Sequence, residues 1–216
     1  MEVRYVTDRH DTLCAKYRQE YRDNPDYLYC GVADMDLAPP DPVLEAMKRR
    51  LDHGVFGYTE LPDGYEKLVS GWMKEQYHCE AEPEWVLFSP RINMALNMAV
   101  DTFTEPGDSI IVNTPAYPAL TGAVEKWGRN LKESPLILKN GRFTIDFDGL
   151  ERLADQKTRA YILCNPHNPT GRVWRREELG RVAKLCGRYD VYLASDEIHC
   201  DLALFGNPFT SMLAFD

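Results

Sequence analysis

The sequence predicts an α/β protein built on a mostly parallel sheet flanked by helices. Three observations carry this. From residue 84 onward, short apolar runs alternate with stretches of helical periodicity, the pattern of βαβ units. The runs (Trp85-Val-Leu-Phe88, Ser109-Ile-Ile-Val112, Ala160-Tyr-Ile-Leu163, Val191-Tyr-Leu-Ala194) are nearly continuous rather than alternating, as in strands covered on both faces. Each run is followed by a cluster of polar or turn-forming residues. With 216 residues, 44% of them apolar, there is enough chain for one domain and a fraction, with a real core.

The elements follow in order. Residues 1–45 are rich in Asp, Arg and Tyr and include Ala33-Asp-Met-Asp-Leu-Ala-Pro-Pro-Asp-Pro42, whose prolines hold the chain extended. Asp41 is expected to cap a helix with Pro42 at its first position, running through Val43, Leu44, Met47 and Leu51 to Gly54. Gly57-Tyr-Thr59 and Pro62-Asp-Gly64 are turns, and residues 65–77 form a second helix. Trp85-Val-Leu-Phe88 reads as a buried strand, then Ser89-Pro-Arg91 and a helix over residues 92–103. Pro106-Gly-Asp108 turns the chain into the strand at 109–112. Thr114-Pro-Ala-Tyr-Pro118, a helix to 127 and a strand near 131–138 come next. Residues 143–153 read as a loop and a short helix. The strand at 160–163 ends in Asn165-Pro-His-Asn-Pro-Thr-Gly171, a helix covers 177–189, and the strand at 191–194 ends in Ser195-Asp-Glu-Ile-His199.

Composition excludes several functions. A net charge of −9 disfavours nucleic acid and anionic membrane partners. No apolar run approaches the roughly 18 residues of a membrane span, and residues 1–10 are too polar for an export signal. Cysteines 14, 30, 79, 164, 186 and 200 show no metal spacing, so reduced thiols and a cytoplasmic protein are expected.

Four polar clusters (89–91, 114–117, 165–171 and 196–199) follow expected strands, and open α/β sheets bind ligands beyond the carboxyl ends of their strands. In the sharpest, two Asn-Pro steps and Thr-Gly make a rigid loop offering the Asn168 amide as a donor, though a plain Pro-rich turn has the same composition. Asp196, if buried at a strand end, needs a cation or strong donors; a helix cap or local salt bridge is the simpler reading. Alternating exposure along 196–201 argues against a shared metal sphere for Asp196, Glu197, His199 and Asp201, and no metal is expected.

Together these residues resemble the fold-type-I pyridoxal-phosphate enzymes, the class I/II aminotransferase superfamily, and within it the MalY/PatB branch of cystathionine β-lyases and C–S lyases. The resemblance rests on Val32-Ala-Asp-Met-Asp36, Phe56-Gly-Tyr-Thr59, Pro106-Gly-Asp108, Thr114-Pro-Ala-Tyr117, Cys164-Asn-Pro-His-Asn-Pro-Thr-Gly-Arg172, Glu177-Glu-Leu179 and Ser195-Asp-Glu-Ile-His199. It implies the aspartate-aminotransferase-like fold, with residues 1–45 in a small domain and 46–216 in a large, cofactor-binding one, incomplete at the carboxyl terminus.

The cofactor it implies is pyridoxal 5'-phosphate. Asp196 pairs with the pyridine nitrogen, Asn168 donates to the phenolic oxygen, and Tyr117 stacks on the ring unless it packs in the core. The backbone N–H groups of Ile92 and Asn93 bind the phosphate. Tyr58 reaches that phosphate from a neighbouring subunit, giving a homodimer with shared sites, unless it is a turn residue. His199 stands where relatives place a cofactor-contacting tyrosine, and can equally be a strand-end histidine. Arg91 departs from the glycine usual in the phosphate turn. The family's catalytic lysine is expected beyond Asp196, where none of the nine lysines lies. The resemblance also places two later strands between the first strand and the strand leading to Asn168; without them Trp85-Val-Leu-Phe88 has no partners and 160–163 becomes an exposed edge. The implied function is a C–S β-lyase acting on a small amino-acid thioether; an aminotransferase and a non-catalytic cofactor-binding regulator remain as alternatives.

Overall fold

In the computed structural model, residues 34–215 are described, together with 9, 12–17 and 26. Cys30, Val32, Ala33 and most of the remaining early segment lie outside the described residues. The chain divides into two compact units, residues 1–61 and 62–216.

In the first unit, the carboxylates of Ala-Asp-Met-Asp are taken up internally. Arg9 grips Asp34 through two nitrogens (3.0 and 2.9 Å) and reaches Asp36 at 2.9 Å, while Lys16 meets Asp36 at 2.5 Å. These pairs hold both carboxyls below the usual carboxylate range. Helix α1 spans Asp41–His53 and closes on Gly54, whose φ of 75° suits a residue without Cβ. The expected cap is displaced by one residue. Pro40 holds the cap position and its carbonyl receives the N–H groups of Val43 and Leu44, so Asp41 sits inside the first turn with no capping bond. There its charge complements the helix dipole instead.

The second unit holds helices α2 (Tyr65–Tyr77), α3 (Ile92–Phe103), α4 (Pro118–Lys126), α5 (Phe147–Leu153) and α6 (Arg176–Tyr189). Its strands are β1 (Ser109–Thr114), β2 (Asn130–Pro135), β3 (Ile137–Lys139), β4 (Arg142–Thr144), β5 (Thr158–Cys164) and β6 (Tyr192–Asp196). The main sheet runs β2-β1-β5-β6 and every pairing is parallel. Alternation along β1 and β5 divides the core. Ile110, Val112, Ala160 and Ile162 pack with Leu96 and Val100 of α3 and Leu120, Ala123 and Val124 of α4. Ile111, Tyr161 and Leu163 face the other way, onto Leu150 of α5, Val182 and Leu185 of α6, and Trp174. Both faces are thus covered, which explains the continuous apolar runs of the two central strands.

Tyr161, Asn113 and Arg129 find hydrogen-bond partners inside this core. The Tyr161 hydroxyl donates to Asn113 Oδ1, and Asn113 Nδ2 donates to the Ser134 carbonyl at 3.4 Å, so one row crosses β5, β1 and β2. Arg129 is buried and donates to the Thr104 hydroxyl at 2.8 Å and to the Thr104 carbonyl, closing the end of α3.

Three expectations are corrected. Trp85-Val-Leu-Phe88 is no strand: Pro83–Trp85 is a single 3-10 turn, and Trp85, Leu87 and Phe88 are exposed. Strand propensity does not make a strand without a ladder partner, and among the described residues none pairs with this segment. The 160–163 strand is not an edge either. It lies between β1 and β6, and the open edge falls on β6. The single strand expected at 131–138 is interrupted at Leu136, and β3 turns back antiparallel onto β4 through Asn140-Gly141. Both turn residues have positive φ (51° and 72°), the requirement of a tight hairpin.

Candidate active site at the carboxyl ends of the strands

β1, β5 and β6 share a rung at Val112, Ile162 and Ala194, and all three end two residues later, at Thr114, Cys164 and Asp196. Tyr117, Asn168 and Asp196 are therefore brought to one edge of the sheet. Tyr117 follows Thr114-Pro-Ala and precedes α4; it is 47% exposed, which excludes the core-packing alternative.

After Cys164 the chain makes a tight loop in which Gly171 N–H donates to the His167 carbonyl (2.8 Å) and His167 N–H to the Arg172 carbonyl (2.7 Å). Gly171 sits at φ 68°, a conformation that disfavours a side chain. The Asn168 backbone N–H donates to Cys164 Sγ at 3.4 Å, while its half-buried side-chain amide has no hydrogen-bond partner among the described residues. Arg172 anchors the far end of the loop, meeting both Glu178 oxygens at 2.6 Å with its guanidinium 4.7 Å from the Trp174 ring.

Asp196 is half-buried. Its carbonyl accepts from Asn165 N–H at 2.9 Å and its Oδ1 from Ile198 N–H at 3.2 Å, while Oδ2 has no partner among the described residues. No ion pair to Asp196 occurs among them either, so a carboxylate at the strand end is left with spare acceptor capacity. His199, three residues beyond Asp196, is half-buried, and its carbonyl receives Leu202 N–H.

Ile92 and Asn93 open α3, whose first paired amides are Met94 and Ala95, both donating to the Arg91 carbonyl. The N–H groups before them point out of the helix end. The Phe103 ring, at the other end of α3, lies 5.1 Å from that of Tyr192 at the start of β6. The helix therefore runs against β6, and its amino end faces the carboxyl edge. This cluster reaches the edge on a helix rather than on the strand expected at 85–88. Tyr58 belongs to the 1–61 unit and is fully exposed.

Burial sets the ionisation of two groups beneath the loop. It pushes the Cys164 thiol up to about 11, and it lowers His167 to about 4, with Arg172 adding to the effect. His167 is thus a neutral imidazole, with Nδ1 2.8 Å from the Thr170 hydroxyl and its ring edge-on to Trp174. An unfolded histidine takes up its proton near pH 6.5, well above the native one, so the unfolded state binds more protons between pH 6.5 and 4. Stability is expected to fall through that window by up to about 3 kcal/mol. Urea melts of wild type and His167→Gln against pH check this: the variant should lose the slope. Asp155, held at about 2 by Lys132, acts only at lower pH.

The roles of Asn165, Glu197 and Tyr77 escaped the sequence reading, which weighed Glu197 only as a metal ligand. Asn165 bridges β5, β6 and two loops. Glu197 Oε1 accepts from the Ser195 hydroxyl and from Met212 N–H, both at 2.8 Å, and the Tyr77 hydroxyl donates to Asp201. The only sequence signal was the presence of such polar residues beside strand ends.

Among known proteins, the chain is 46% identical over 191 residues to cystathionine beta-lyase PatB of Bacillus subtilis (strain 168), covering 87% of this chain and 49% of that protein. Its fold superposes on cystalysin from Treponema denticola, a structure containing pyridoxal 5'-phosphate, with TM-score 0.89 and 35% identity over 98% of this chain and 56% of that one. It likewise matches the pyridoxal-phosphate-bound C–S lyase from Staphylococcus hominis at TM-score 0.86 and 32% identity, over 96% and 54% of the two chains. The chain spans about half the length of these relatives. With the family model for aminotransferase class I and II matching residues 26–215, nearly the whole chain including every strand of the sheet, the chain belongs to that family.

Proposed function

We propose that the chain is the cofactor-holding portion of a pyridoxal-phosphate-dependent C–S β-lyase, which with water converts a small sulfur amino acid (a thioether of the cystathionine type, or cysteine itself) into a thiol or sulfide, pyruvate and ammonia. The observation that carries the reading is the sheet edge itself: Asp196 with a spare carboxylate oxygen, Asn168 with an unengaged amide and Tyr117 with an open ring, on three adjacent strand ends. These residues fit the group. A half-buried carboxylate is best matched by a cation, and a protonated ring nitrogen is one.

Pyridoxal 5'-phosphate, when bound, provides an electron sink for a carbanion at the substrate's α-carbon. The chain's own residues set up that chemistry. Asp196 keeps a proton on the ring nitrogen, and Asn168 donates a hydrogen bond to the phenolic oxygen. Tyr117 covers one ring face and keeps water from it. The N–H groups of Ile92 and Asn93, at the positive end of α3, hold the phosphate. His199 contacts the cofactor from the loop after β6. Tyr58 belongs, on this reading, to the phosphate site of a second subunit in a homodimer, with residues 1–45 in a small domain and 46–216 in the large one. A cytoplasmic location agrees with the free thiols of Cys14, Cys79, Cys164, Cys186 and Cys200. The likeness to cystathionine beta-lyase PatB and to the Staphylococcus hominis C–S lyase favours the lyase over an aminotransferase.

The test uses a full-length, lysine-containing form with cystathionine or cysteine as substrate. Thiol and pyruvate are expected in equal amounts with no keto acid added. Turnover that requires a keto-acid acceptor would make the protein an aminotransferase.

A further inference from the structure

Asn165 lies between the last residue of β5 and the loop that carries Asn168, and it is fully buried. Its backbone N–H donates to the Asp196 carbonyl at 2.9 Å, one step beyond the last β5–β6 pair. Its side chain works in two further directions. Nδ2 donates to the Thr210 carbonyl at 3.0 Å, and Oδ1 accepts from Trp174 N–H at 3.2 Å. The Trp174 indole N–H closes the same knot by donating to the Cys164 carbonyl at 2.8 Å.

One residue, through its backbone N–H and its side-chain amide, therefore joins four segments: the end of β5, the end of β6, the return of the Asn168 loop at Trp174, and the far end of the segment that leaves the sheet at Asp196. That last segment is also fixed at Glu197, which receives Met212 N–H, and at Asp201, which receives the Tyr77 hydroxyl. The Tyr77 ring packs edge-on to Phe209, 4.9 Å away. Ile198, whose N–H caps Asp196 Oδ1, lies inside it. Both loops bearing the proposed cofactor contacts are thus held against the sheet at the same buried amide.

We infer that Asn165 is a positioning residue: it sets Asn168 and Asp196 relative to each other, touching neither the cofactor nor the substrate. The inference rests on the reading of those two residues as cofactor contacts. Its physical basis is that an amide offers a donor and an acceptor on one rigid plane, so both loops are placed by a single group. A buried carbonyl or N–H that loses its only partner is driven to move toward another.

The test compares the 216-residue wild-type chain with Asn165→Ala and Asn165→Asp. Peptide-resolved amide hydrogen exchange is measured without cofactor, and pyridoxal 5'-phosphate is then titrated by quenching of tryptophan fluorescence. Asn165→Ala should speed exchange at least about tenfold in residues 166–171 and 197–212, leaving β1 and α6 protected, and weaken cofactor uptake by at least about tenfold. Asn165→Asp keeps the acceptor for Trp174 N–H but loses the donor to Thr210, so only residues 197–212 should loosen. That variant carries the test if the alanine chain fails to fold. A uniform rise in exchange across the chain, no change in either loop, or unaltered cofactor affinity with both loops loosened overturns the inference. If the wild-type chain takes up no cofactor while the two exchange patterns hold, the cofactor reading fails and the clamp stands.

Discussion

Replacing Asp196 with alanine is expected to remove most of the activity of a full-length, lysine-containing form, by on the order of a hundredfold or more, the scale on which a half-buried charge pair loses one partner. The fold should scarcely notice. Among the described residues the carboxylate receives one hydrogen bond, from Ile198 N–H, whose loss costs about 0.5–1.5 kcal/mol. The β5–β6 pairing uses only the Asp196 backbone. His199→Ala should lose far less, about tenfold at most, since a hydrogen-bond or packing contact is at stake rather than a charge. Steady-state kinetics and thermal melts of the two variants, side by side, check this. Equal, small effects would contradict the assignment of Asp196 to the ring nitrogen.

Trp174→Ala should have the largest effect on stability. The ring is wholly buried among Leu163, Leu179 and Val182 in the core beneath α6, and its indole N–H satisfies the Cys164 carbonyl. Emptying such a position costs about 3–5 kcal/mol, against a total of about 5–15 kcal/mol for a domain. The variant should unfold at markedly lower urea, with the slope unchanged. Trp174→Phe should fall between, losing the hydrogen bond but most of the packing stays. A loss below about 1 kcal/mol for the alanine variant would mean that the core does not depend on this ring.

Much of the sheet and three of the polar clusters at its carboxyl edge were legible because local chemistry writes them. β1 and β5 are continuous apolar runs, and Thr114-Pro and the two Asn-Pro steps end them abruptly. Asn140-Gly141 was equally legible as a tight-turn dipeptide, but it lay between the strand expected at 131–138 and the loop expected from 143 and was not read as a hairpin. What was not legible depends on residues far apart. Trp85-Val-Leu-Phe88 has strand composition, yet strands are made by pairing, and its neighbours in the sequence do not supply a partner. The position of 160–163 inside the sheet follows from its ladders with β1 and β6, which no local signal encodes. Asn165 reads as half of an Asn-Pro turn; its partners at Trp174, Asp196 and Thr210 converge on it only in the folded chain.

The central claim is that the carboxyl edge of this sheet holds pyridoxal 5'-phosphate through Asp196. The most direct measurement is the circular dichroism of the cofactor's absorption band, titrated into the wild-type chain and into Asp196→Ala, with melting curves of both proteins recorded alongside. The account predicts a saturable induced signal from the wild type and none from the variant, at similar melting temperatures. A free-cofactor spectrum from the wild type, or the same induced signal from both, would contradict it.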